Sequence, residues 1–143
     1  MSTNRSVPGA PVPASALELL VRSDAELVAA SLAQEAADRF LHAHLAAVRA
    51  GAALLQVTGQ PQRRRAVRTV WDMVAVVAPD LAGWAGFFAG NASARSAIEA
   101  GRTHVVDDLR AERAVCAAED FHAAVRSRIG LAPGDTSQLR FAS

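Results

Sequence analysis

The chain has 143 residues, 51% of them hydrophobic and 20% charged, with a formal net charge of +1. That hydrophobic share excludes a disordered chain, a single cysteine (Cys116) excludes a disulfide scaffold, and no apolar run reaches the ~20 residues that span a bilayer. All 15 basic residues are arginine and 33 residues are alanine, a bias that a GC-rich genome writes, so the composition points to a helical domain without naming a reaction. Residues 1–13 hold three of the six prolines and read as a flexible leader, and residues 131–143 read as a matching polar tail. The stretch between them, 14–130, is long enough for one domain with one core.

The first helix is expected to start near Ser15, with Glu18 at the capping-box spacing and Leu17, Leu20, Val21, Leu27, Val28 and Leu32 turned inward. A second helix over about 34–56 carries two apolar stripes, one through Leu41, Leu45 and Val48 and one through Phe40, Ala43, Ala47 and Leu54. Two stripes imply more than one neighbour and a central position. Ala43, Ala47 and Gly51, at steps of four, would let another helix approach closely. Thr58-Gly59-Gln60-Pro61 closes this helix, and a loop with Arg63, Arg64, Arg65 and Arg68 follows. A third helix covers about 69–78, with Val70, Trp71, Val74 and Val77 inward, and Pro79 breaks it. A fourth carries Trp84, Phe87 and Phe88 and kinks at Gly90-Asn91 before ending at Ala100-Gly101. The last spans about 105–129, with Gly130 and Pro133 as its stop. The fold class is therefore all-α, an antiparallel up-and-down bundle of four to five helices.

Few residues carry obvious chemistry. His42 and His44 lie two apart and point to opposite sides of their helix, and no HExxH, paired ExxH or CxxC pattern is present. No metal or cofactor is expected. Cys116, mid-helix among alanines, reads as a small packed hydrophobe. Asp107-Asp108 and Glu119-Asp120 diverge by ~100° within each pair and read as solvated faces. The arginine loop says more: without Arg63, Arg64, Arg65 and Arg68 the formal charge falls from +1 to −3, so the positive charge is concentrated there. Arginine gives bidentate contacts to phosphate, which makes the loop a candidate nucleic-acid contact.

The stretches RFLHAHLAAVRA (39–50) and VWDMVAVVAPDLAGWAGFFA (70–89), with Ala94-Arg95 to Gly101 and the long last helix, resemble an actinobacterial branch of the HEPN domains (higher eukaryote and prokaryote nucleotide-binding). The resemblance covers roughly residues 15–130. It implies an up-and-down helical bundle that dimerises. Active members are metal-independent ribonucleases that use an Arg-x4–6-His motif completed by two protomers, the arginine steadying phosphate charge and the histidine moving a proton. In this chain Arg39 and His44 have that spacing, although Phe40 stands where the active motif carries a polar residue. Five residues apart, the two side chains lie ~140° around the helix and do not converge within one chain. The expectation is a non-catalytic binding module, a cytoplasmic homodimer that contacts RNA through the arginine loop and spans no membrane. Two alternatives stand beside it: a ribonuclease using Arg39 and His44, and an adaptor holding an unknown protein partner through Trp84, Phe87 and Phe88.

Overall fold

The computed structural model describes residues 11–59 and 69–131. They form six α-helices: α1 (Ala14–Leu32), α2 (Ala36–Thr58), α3 (Val70–Val77), α4 (Ala82–Gly90), α5 (Ala92–Glu99) and α6 (Asp108–Arg128). Single 3-10 turns at Pro79–Leu81 and Thr103–Val105 join the later ones. The arginines of the loop, Arg63, Arg64, Arg65 and Arg68, lie outside the described residues.

Side-chain contacts fix the direction of each arm. Ser15 on α1 reaches Gln56 near the end of α2, and Glu26 reaches His42 near its beginning, so α1 and α2 run antiparallel. Arg39 and Asp108 join the first turns of α2 and α6, which therefore run the same way. Between them the chain returns in pieces: Val70 sits against Gly51 late in α2, whereas Asn91 meets Arg110 early in α6. The result is an up-down-up-down bundle whose third arm is divided among α3, α4 and α5. Pro79 causes the first break, because it cannot donate within a helix but suits the first residue of a new turn. Asn91 marks the second, capping α4 and opening α5.

α2 is the central helix, with eleven buried residues and contacts to α1, α3, α5 and α6. By length and composition alone it could cross a membrane, but 56% of its most apolar window is buried within the bundle, as expected of a core helix. Its fully buried stripe is Phe40, Ala43, Ala47 and Leu54, while Leu41, Leu45 and Val48 are half-buried. Gly51 lies on the same side. A Cβ there would come within 3.2 Å of Val70 Cγ2 and 3.4 Å of Val74 Cγ2, so α3 packs tightly over the glycine and even a methyl group would press on both valines.

Three local expectations change. α1 begins at Ala14 after Pro13 with no side-chain cap, because the Ser15 hydroxyl donates to Gln56 Oε1 at 2.9 Å instead. Its buried line is Ala16, Leu20, Ser23 and Ala30, which leaves Val28 50% and Leu32 75% exposed. Small residues on that line bring α1 close to α2, and the bulkier residues stay outside. α6 starts at Asp108 rather than near 105, since Val106 is extended and buried and Asp107 accepts the Arg110 N–H at 2.8 Å as an N-cap.

Candidate functional site

His44 sits at the centre of the aromatic core. It is 2% exposed, one helical turn after Phe40, whose ring it stacks on at a centroid distance of 6.4 Å. Trp71 from α3 and Phe88 from α4 present their rings edge-on at 6.3 and 6.1 Å. Its Nδ1 is buried without a hydrogen-bond partner. Burial first, then the positive charge of Arg95, push the imidazole down to about 4, against an opposing pull from Glu99. At neutral pH the ring is uncharged.

Arg39 lies elsewhere. Its Nη1 donates to the Gln34 carbonyl at 2.7 Å and its Nη2 to Asp108 Oδ1 at 2.9 Å. The two residues at Arg-x4-His spacing thus occupy separate surroundings, one at the bundle end and one in the core. The neighbouring Arg110 lays its guanidinium 5.5 Å above the Phe40 ring and bonds Asn91 Oδ1 at 3.1 Å.

The other buried histidine is fully partnered on one side. His122 Nδ1 lies 2.8 Å from Ser23 Oγ, and that hydroxyl donates to the Ala46 carbonyl at 2.7 Å. The single hydroxyl proton is committed to the carbonyl, so Nδ1 carries the proton and donates to Oγ, which assigns the tautomer. Burial lowers the His122 pKa; Asp24 pulls it up, Arg126 pushes it down, and the net is downward.

A cleft of about 440 Å³ opens at the start of α2, lined by Glu35, Ala37, Asp38, Thr103, His104 and Val106. The sequence offers no signal for it, because the two segments lie more than sixty residues apart. Among the described residues no group of three or more His, Cys, Asp or Glu side chains is placed to hold a metal ion. Cys116 is exposed rather than packed, its Sγ donating to Glu112 Oε2 at 3.7 Å. Local desolvation, then the charges of Glu112, Glu119 and Asp120, raise its thiol above the ordinary range, which disfavours the nucleophilic thiolate. Of the three aromatics on α4, Phe88 is fully buried, Trp84 half-buried and Phe87 38% exposed.

The family model for HEPN_SAV_6107-like HEPN proteins matches residues 30–126, from the end of α1 to the last turns of α6. The chain belongs to the HEPN family. No curated protein and no solved structure matches it at a significant level. The matched span holds the whole third arm, His44 with its ring neighbours and the Arg39–Asp108 contact. The charges acting on His44 that sequence reasoning missed are those of Arg95 and Glu99, on this HEPN domain's fifth helix.

Proposed function

We propose that this HEPN chain is a binding module and not a nuclease: a homodimeric helical bundle that contacts RNA through Arg63, Arg64, Arg65 and Arg68. One observation carries the non-catalytic reading. His44 is buried among Phe40, Trp71 and Phe88 and held near a pKa of 4, while Arg39 is engaged with Asp108. A general base needs a nitrogen within reach of the substrate and a pKa near the working pH, and His44 meets neither condition. The charge arithmetic supports the ligand class, since the four clustered arginines take the net formal charge from −3 to +1. Val28 and Leu32, one turn apart and exposed on α1, are the apolar pair offered for self-association. A free, unpaired Cys116 fits a reducing, cytoplasmic setting.

Fluorescence anisotropy with single-stranded RNA, read across a salt series, tests the proposal. Four phosphate contacts on a single strand give a log–log salt slope of about −3. Replacing the four arginines by serine flattens that slope. No binding at low salt overturns the RNA assignment and leaves the protein-partner alternative. RNA cleavage that disappears in Arg39→Ala or His44→Ala overturns the non-catalytic reading in favour of the ribonuclease.

A further inference from the structure

α4 carries no polar face. Its nine residues, AGWAGFFAG, include no charged, hydroxyl or amide side chain. A helix apolar on every side is normally covered on every side. Here only Ala85 and Phe88 are buried, with Phe88 stacked on Trp71 in the aromatic core. Phe87 is exposed, Trp84 three residues before it is half-buried, and Val76 on the adjoining α3 is exposed too. Gly83, Gly86 and Gly90 also face outward, and among the described residues nothing lies within 4 Å of a Cβ built on any of them. The outer side of α4 therefore presents rings and open backbone to a further element.

The chain leaves the described fold beside this face. Arg128, in the last turn of α6, donates to both carboxylate oxygens of Asp80, two residues before α4 begins. Gly130, at φ 88°, then turns the chain; the Leu131 N–H returns to the Arg126 carbonyl at 2.9 Å, and Leu131 packs on the core. From Leu131 an extended chain reaches Leu139 over about 26 Å. α4 is only about 13 Å long. Leu139-Arg140-Phe141 alternates apolar and charged side chains, so an extended backbone turns Leu139 and Phe141 to one side and Arg140 to the other. The other segments that flank the described residues fit less well. Met1 and Val7 are the bulky apolar residues of 1–10 and lie far apart, while 60–68 holds the four arginines. We propose that residues 132–143 form an intramolecular strap on the outer face of α4, with Leu139 and Phe141 against Trp84 and Phe87. Removal of these apolar side chains and of the face from water drives the docking. The strap withholds the face from other apolar partners. It rests on neither the RNA reading nor self-association, whose apolar pair lies on α1.

A nitroxide near the end of the strap, read by NMR on the full chain, tests the docking. Ala142→Cys carries the label, in a Cys116→Ser background because Cys116 is the chain's one cysteine and is exposed. Amide signals of α4 should lose most of their intensity and recover when the label is reduced. Those of α1, which packs on α2 and α6, should change little. Adding Leu139→Ser and Phe141→Ser should restore the α4 signals. A mixture of spin-labelled chains without isotope and isotope-enriched chains without label should show no loss at α4. The strap is overturned if α4 keeps its intensity, if all helices lose signal alike, or if the loss persists with both serines present. Loss in the mixed sample overturns it as well, and assigns the face to a second copy of the chain.

Discussion

Two imidazoles in one core illustrate how differently a buried polar group can be accommodated. His122 gives its Nδ1 proton to Ser23, which passes its own to the Ala46 carbonyl, so a chain of donors links α6, α1 and α2. His44 relies on aromatic contact and leaves a nitrogen unpaired. The sequence shows both histidines on apolar faces, and the i to i+4 spacing of Phe40 and His44 is visible in it. It does not show that serine 23 waits for histidine 122, because that contact spans 99 residues. Ser23→Ala tests the linkage. It strands a buried Nδ1–H and should destabilise the protein by about 2 kcal/mol in urea unfolding. Adding His122→Leu should recover much of the loss, since removing both partners leaves nothing unsatisfied. Equal or greater destabilisation in the double variant would show that the bond is not the source of the effect.

At the level of helices, start signals are read reliably only when no distant partner competes for the capping side chain. Ser15 and Glu18 have the capping-box spacing, yet the Ser15 hydroxyl goes to Gln56. Thr69 and Asp72 complete a full capping box at α3. Close packing follows a similar division. The small residues at 43, 47 and 51 are legible as a contact stripe, but which helix uses them is decided by the fold of the third arm. At Gly51 the structure brings α3 against the stripe, through Val70, Val74 and Trp71. Gly51→Leu would drive a side chain into Val70, Val74 and Trp71, and overpacking of this kind costs about 3 kcal/mol. Thermal unfolding should show that loss, and crystal or NMR data should place the strain in α3 rather than in α1. A leucine accommodated at no cost would mean that α3 is free to move outward.

The whole molecule is an up-down-up-down HEPN bundle, and its helical character, its breaks at Pro79 and Gly90-Asn91 and the central place of α2 follow from local pattern. The Arg39–Asp108, Ser23–His122 and Arg95–His44 relations do not, because each depends on how separated arms meet. Those long-range relations govern the response of the fold to acid. An exposed imidazole takes its proton near pH 6.5, whereas His44 in the core resists until about 4. Between these values the unfolded chain binds more protons than the folded one, so unfolding becomes easier as the pH falls through the window. The contribution is fully present above 6.5 and has lost about 3 kcal/mol once the pH reaches 4. His122, also lowered, adds to the loss with the same sign. Urea midpoints at pH 7.5, 5.5 and 4.5 should therefore decline steadily. The same series in His44→Leu should decline less, and that difference isolates His44 from the carboxylates that begin to titrate near 4.5. Parallel declines in the two proteins would mean that the core does not hold His44 uncharged, and with that the physical case against its use as a base would fall.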